Sequence, residues 1–193
     1  MLSSSPEQAS ADDSLIGRWI LDQYLILKQI AVGGMAEIFL AEQAHMDRKA
    51  VIKILRTERG SEKTRLFRQE ARAVSRLIHP HIVTVYNFGE LADGALFLAM
   101  EYVEGQTFGT ISTAQPPTAQ VLRLALQCAE ALSFAHQRGV IHRDLKPDNL
   151  IVTSIAGTDC VKVLDFGVAR LPDDPSQTQD GTLIGTPKYM TGQ

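Results

Sequence analysis

Lys53 sits inside the apolar run Ala50 to Leu55 (AVIKIL), where a single ammonium is costly to desolvate unless an anion meets it. A lone lysine of this kind more often lays its stem along the strand and reaches water. A second stranded charge lies downstream. Phe67, Ala71, Val74 and Leu77 recur at helical spacing and mark a core-facing stripe, and Glu70 shares it, three residues after Phe67 and four before Val74. A border carboxylate can also stand there exposed and idle. One stranded base and one stranded acid in the same small lobe satisfy each other, so an ion pair between Lys53 and Glu70 is expected.

The third constellation is set by a hairpin. Asn149 directly precedes one predicted strand and Asp165 directly follows the next, with a short turn between them. In an antiparallel pair the start of the first strand and the end of the second lie side by side, so Asn149 and Asp165 converge. Both offer the hard oxygen ligands that Mg²⁺ prefers. Asp144 lies five residues before Asn149 in the same loop, with Lys146 between them. Any one of these is commonly a turn or cap residue. Together, two carboxylates, a carboxamide and a lysine at one rim suit a metal-bound polyphosphate.

These residues need a frame, and the apolar pattern supplies one. Leu25 to Ile30 and Glu37 to Ala41 flank Gly33-Gly34 and read as a hairpin with a flexible tip. Ala50 to Leu55 is a third strand. A helix follows, from an N-cap at Ser61 to Leu77, stopped by His79-Pro80. Ile82 to Phe88 and Ala95 to Tyr102 are two more strands around the turn Ala92-Asp93-Gly94. Pro116-Pro117-Thr118 precedes a helix from about Ala119 to Arg138, closed by Gly139. The loop Val140 to Asn149, a strand Leu150 to Thr153, a turn Ser154 to Asp159 and a strand Val161 to Leu164 complete the pattern. The fold class is α+β in two lobes. Residues 1–18 are a disordered lead-in, 19–103 a lobe of five strands and one helix, and 104–193 an incomplete helical lobe.

Composition sets outer bounds. The 193 residues are 45% hydrophobic and 21% charged, with a net charge of −3, so a basic footprint for nucleic acid is missing. The two cysteines, Cys128 and Cys160, are too few for a disulfide framework and lack metal-knuckle spacing, which fits a reducing, cytoplasmic setting. No apolar run nears the roughly 20 residues of a membrane span, and no signal-peptide pattern opens the chain. His79 and His81 lack further ligands for zinc, and Cys128 and His136 on the long helix are expected to pack.

The same residues carry a resemblance. His142-Arg143-Asp144-Leu145-Lys146-Pro147-Asp148-Asn149 matches the protein-kinase catalytic loop, Asp165-Phe166-Gly167 matches its D-F-G, and Ala50-Val51-Ile52-Lys53 stands where V-A-I-K is expected. The chain resembles eukaryotic-type Ser/Thr protein kinases of the sort bacteria carry with Gly33-Gly34-Met35 in the phosphate loop, from about residue 20 to 190. The resemblance implies ATP and Mg²⁺ as cofactors. Lys53 would hold the α- and β-phosphates and pair with Glu70, Asp165 and Asn149 would hold the metal, Asp144 would orient the substrate hydroxyl and take its proton, and Lys146 would steady the γ-phosphate. Met100 resembles the gatekeeper, and Glu101 to Val103 the hinge that meets adenine. Val32, Ile38 and Ala50 would roof the adenine pocket and Leu150 would floor it. Arg143 suggests control by phosphorylation, with Thr178 and Thr182 as candidate sites, and Thr186 resembles the threonine that contacts the catalytic aspartate. Implied partners are protein substrates and a second copy for autophosphorylation.

Two departures qualify it. The phosphate loop reads Ala31-Val32-Gly33-Gly34-Met35-Ala36, keeping only the middle glycine of the family pattern in register. After Tyr189-Met190 the family reads A-P-E, whereas this sequence reads Thr191-Gly192-Gln193 and stops. Leu122, Leu126 and Leu132 of the long helix are then expected to be partly exposed, and activity of this chain by itself to be weak or absent. The competing readings are a non-catalytic ATP-binding or partner-binding fragment, and a small-molecule kinase of the aminoglycoside-phosphotransferase type. Lys146 after His142-Arg143-Asp144 argues against the latter.

Overall fold

The computed structural model describes residues 15–33, 36–56 and 61–166. The candidates Gly34, Thr178, Thr182 and Thr186 lie outside these residues, as do Met35 and Gly167.

Six strands form one antiparallel sheet: β1 (Trp19–Ile20), β2 (Tyr24–Val32), β3 (Ala36–Gln43), β4 (Arg48–Leu55), β5 (Val85–Glu90) and β6 (Leu96–Glu101), in the order β1-β2-β3-β4-β6-β5. The strand beyond the expected five is β1, whose two residues pair with Leu25 and Tyr24 and are too short to show a period. Residues 15–18, expected within the lead-in, are tied to β2 instead, with Gly17 N–H donating to the Ile26 carbonyl at 2.8 Å.

The two-residue period of β4 sorts the lobe into faces. Ala50, Ile52 and Ile54 are buried with Tyr24, Ile26, Phe39, Phe97 and Ala99 on one face. Leu55 on the other face joins Leu96, Leu98 and Met100 in a second core, which continues through Phe67, Ala71 and Val74 to Val161, Val163 and Phe166. Each such side chain withdrawn from water is worth about 1.5–3 kcal/mol, so this second core welds the two halves behind the cleft.

Helix α1 (Glu62–Val74) starts at Ser61, whose hydroxyl accepts from Thr64 N–H at 3.3 Å. It ends three residues before the expected Leu77. The Ser75 hydroxyl donates to the Arg72 carbonyl, and the chain tightens into turns with Leu77 N–H on the Val74 carbonyl at 2.9 Å.

A three-stranded sheet, order β7-β8-β9, carries the lower rim: β7 (Gln106–Thr107), β8 (Leu150–Ile155) and β9 (Thr158–Val163). The β8–β9 turn is shorter than expected, because Ala156 (φ 51°) and Gly157 (φ 78°) supply the two positive-φ positions of a two-residue hairpin loop. Between β7 and β8 lie α2 (Phe108–Ser112) and α3 (Thr118–His136). Gly139 (φ 74°) turns the chain after α3 as expected. Helix α3 buries Leu124, Cys128, Ala131 and Ala135, whereas Leu122 (64% exposed) and Leu126 (61%) face outward and Leu132 is half-buried. His136 is exposed and not a packing residue.

Residues 79–84 join the two sheets. Val163 N–H donates to the His81 carbonyl at 2.9 Å and Val83 N–H to the Val163 carbonyl at 3.0 Å, a short parallel bridge centred on Ile82. One step on, Glu101 N–H donates to the Thr84 carbonyl at 2.9 Å.

Candidate active site

The lower rim assembles as the hairpin argument requires. Leu164 N–H donates to the Asn149 carbonyl at 2.8 Å, extending the β8–β9 ladder and setting Asn149 beside Asp165. Asn149 is buried, and its Nδ2 donates to the Asp144 backbone carbonyl at 2.8 Å and reaches the Asp144 carboxylate at 3.4 Å. Lys146 Nζ lies 3.2 Å from Asp144 Oδ2. Asp144, Lys146, Asn149 and Asp165 therefore share one rim. Pro147–Asn149 forms a turn of 3₁₀ helix that the sequence pattern did not show.

His142 holds this rim from below, as expected. Its Nδ1 accepts from Asp144 N–H at 3.3 Å, which leaves Nε2 to donate to the Leu164 carbonyl at 2.7 Å. Its ring lies 4.8 Å from that of Phe166. Burial holds the imidazole below its ordinary range, against the opposing pull of the Leu164 carbonyl and of the charges on Asp165 and Asp144. Arg143 (φ 63°) and Asp165 (φ 54°) both occupy the left-handed region, at a cost of about 1–3 kcal/mol each. Such strain persists where surrounding contacts dictate it, and here it flanks the aspartates of the rim.

Across the cleft the pairing differs from expectation. Lys53 is buried, and its Nζ lies 2.8 Å from Asp165 Oδ1. Glu70 pairs with Arg143 instead, with Nη1 and Oε1 2.7 Å apart. The expected Lys53–Glu70 pair is not formed. Two carboxylates and two cations meet in this region, and α1 stands where Glu70 reaches the Arg143 guanidinium. Its other oxygen, Oε2, is buried without a hydrogen-bond partner among the described residues. Burial pushes the Glu70 carboxyl up, and Arg143 offsets part of that rise.

Register corrects the roof. Ile38 pairs with Lys53, and Met100 with Val51, so Ile38, Lys53, Val51 and Met100 share one face. Ala50 is fully buried on the opposite face with Ile52 and Ile54, and so cannot line a pocket beside Lys53. The residue on the correct face is the half-buried Val51, legible as the position two before Lys53. Val32 is 63% exposed and pairs with Glu37, which places it off that face as well, whereas Ala31 pairs with Ile38. Gly33 N–H donates to the Ala36 carbonyl at 2.8 Å and closes the hairpin tip. Met100 belongs to the second core, and Leu150 and Val103 pack against it.

Behind Met100 lies a cavity of about 20 Å³, room for roughly one water, lined among others by Lys53, Val74, Leu98, Asp165 and Phe166. Glu101 ends β6, and Gly105 follows closely enough to β8 that a Cβ there would strike the Val152 carbonyl.

The rim suits the groups it is expected to hold. Mg²⁺ is usually bound by one or two protein oxygens together with substrate phosphates, and Asn149 and Asp165 provide that number. The Asn149 carboxamide meets Asp144 through Nδ2 in both hydrogen bonds, so its oxygen is turned away from Asp144. Among the described residues no three His, Cys, Asp or Glu side chains gather into an all-protein cage, and no helix is long and apolar enough to cross a membrane.

Known proteins resemble this chain in sequence and fold. The family model for the protein kinase domain matches residues 24–192. Serine/threonine-protein kinase pkn3 of Myxococcus xanthus is 44% identical over 188 residues, covering 93% of this chain and 34% of the relative. Serine/threonine-protein kinase PrkC of Bacillus subtilis is 38% identical, covering 92% of this chain and 27% of the relative. The chain thus spans between about a fifth and a third of the length of the curated relatives it matches. The crystal structure of the Mycobacterium tuberculosis PknI kinase domain superposes with a TM-score of 0.66 at 31% identity, covering 77% of this chain and 61% of that one. The catalytic-loop rim, the buried strand lysine and these matches coincide in one stretch of sequence, and the chain belongs to the protein kinase domain family.

Proposed function

We propose that this chain carries the nucleotide-binding cleft and catalytic loop of a Ser/Thr protein kinase, which transfers the γ-phosphoryl of Mg·ATP to a protein hydroxyl. The observation that carries the reading is the rim on which Asp144, Lys146 and Asn149 are bound to one another while Asp165 meets Lys53 across the cleft. Asp144 takes the proton of the substrate hydroxyl as its oxygen bonds to the γ-phosphorus and the bond to the β–γ bridging oxygen breaks, releasing ADP. Lys146 stays beside the same carboxylate to counter charge on the transferred group. Lys53 serves the α- and β-phosphates. Asn149 and Asp165 would hold Mg²⁺, which neutralises phosphate charge when bound. Ile38, Val51 and Leu150 enclose the adenine, with Met100 at its back, Glu101 to Val103 as the hinge and Gly33 in the loop over the phosphates.

Lys53 is held by Asp165 and Glu70 by Arg143, and both pairs stand where phosphate groups would bind. Incoming phosphates compete for Lys53, and a phosphate on Thr178 or Thr182 would compete for Arg143 and free Glu70. A second copy of the chain is proposed to transfer that phosphate from Mg·ATP to the threonine hydroxyl, releasing ADP. The buried free thiols of Cys128 and Cys160 support a reducing, cytoplasmic setting.

The test pairs binding with turnover. Mg·ATP is expected to raise the melting temperature of the chain and of Asp144→Asn alike, and less so that of Lys53→Met. Transfer from γ-labelled ATP to a protein substrate is expected to be weak in the chain and to fall by a further ~10²–10⁴ in Asp144→Asn. An undiminished Asp144→Asn rate, or no thermal response to Mg·ATP, would overturn the reading.

A further inference from the structure

Glu101 and Lys162 were assigned nothing beyond the hinge backbone, yet their side chains meet where three elements converge. Lys162 Nζ on β9 lies 3.0 Å from Glu101 Oε2 at the end of β6. The same oxygen accepts from Thr84 N–H at 3.1 Å, and Thr84 in turn accepts Glu101 N–H at 2.9 Å. The lysine and glutamate side chains are 13% and 26% exposed, so this pair is more shielded than the Glu70–Arg143 pair, whose arginine is 52% exposed. It also stands on the bridge through which residues 79–84 tie β9 to the upper sheet.

We infer that Lys162 is a positioning residue for the nucleotide: by clamping the Glu101 carboxylate against β9 and Thr84, it fixes the backbone of Glu101 to Val103 where adenine docks. The geometry favours this over simple surface pairing. A carboxylate held by one backbone N–H and one ammonium from different elements cannot rotate without breaking both. The strand residue so held is the last of β6: its backbone is still paired with Ala50 of β4 and donates to the Thr84 carbonyl, and the chain leaves the sheet immediately after it. Loss of the ammonium removes the only contact among those described that links this carboxylate to the lower lobe. The effect should therefore fall on binding of the adenine and not on the chemical step.

The inference rests on the kinase reading for its nucleotide arm, and a second arm is free of it. In Lys162→Met, amide exchange at Glu101 and Tyr102 without nucleotide is expected to speed up about tenfold relative to the β4 amides, with Lys162→Arg restoring it. In the phosphotransfer assay the same variant is expected to raise KM for ATP about tenfold with kcat within about twofold, again rescued by arginine. Glu101→Gln, which keeps the Thr84 contact and loses the charge, should reproduce both effects at smaller size. Unchanged exchange at Glu101 in Lys162→Met overturns the clamp, as does a variant whose kcat falls or rises while KM stays put. If the parent chain shows no nucleotide binding, the kinase reading falls and the exchange arm alone decides the clamp.

Discussion

The lower rim and the wall opposite it are built from the same residue types, but they are held very differently. Asp144, Lys146 and Asn149 lie within six residues of one loop and satisfy one another directly. Lys53 and Glu70 sit on a strand and a helix, and each has taken a different partner from the one that charge complementarity alone suggested. A contact within one loop is fixed once that loop folds. A contact between elements depends on how a helix stands against a sheet, and a displacement of a few ångströms lets another charge win at little cost. The rim is thus preorganised, whereas the wall is exchangeable.

Loosening the wall's anchor is the largest way to break this contrast. Phe67 is fully buried on α1 in the second core and sets the distance of the helix from the sheet. Phe67→Ala is expected to cost about 3–5 kcal/mol, read from urea denaturation. A cost below about 1 kcal/mol would mean that α1 is not anchored through this ring, and the placement of Glu70 would need another cause.

A smaller change sharpens the contrast. Arg143 is half-exposed, so its pair with Glu70 contributes no more than about 1 kcal/mol to stability after solvent screening. Its effect on titration should be clearer. Glu70 is already pushed up by burial and has one oxygen buried without a partner. In Arg143→Ala the Glu70 carboxyl is expected to move further up, followed by carboxyl NMR against pH. A downward move would show that Lys53 has left Asp165 and captured the carboxylate, making the two cations interchangeable.

What the sequence disclosed follows the same division. The hairpin rule placed Asn149 beside Asp165 because register is fixed by the turn between two strands. The stripe Phe67, Ala71, Val74 was legible because period 3.6 marks a face whatever that face packs on. Ala50 was misplaced although strand parity was available: it is three residues before Lys53, and only even steps share its face. Val32 was harder, since the register shifts in β2 between Ile26 and Lys28 and between Gln29 and Ala31 break the parity count. The Glu70–Arg143 pair was out of reach, because residues 73 positions apart met through helix placement and no local pattern encodes that. The Lys162–Glu101 contact carries no motif either, and only the bridge from residues 79–84 brings the two strands together.

The smallest expected effect probes the preorganised side through pH. His142 is buried and neutral, with its titration held below the ordinary value near 6.5, so in acid the unfolded chain takes up this proton before the folded one does. Its contribution is fully present above that value and is lost as pH falls through it toward the folded value, by at most about 1.4 kcal/mol per pH unit. His79, lowered mainly by burial, adds a term of the same sign, and Glu70, raised by burial, adds one of opposite sign at more acid pH. His142→Asn isolates the term of interest, because both other groups remain in it. The urea midpoint of the parent is expected to drop more than that of the variant between pH 7.5 and 5.5. Equal drops would mean that the ring accepting from Asp144 and donating to Leu164 is free to charge in place, and the rim would then be no more fixed than the wall it faces.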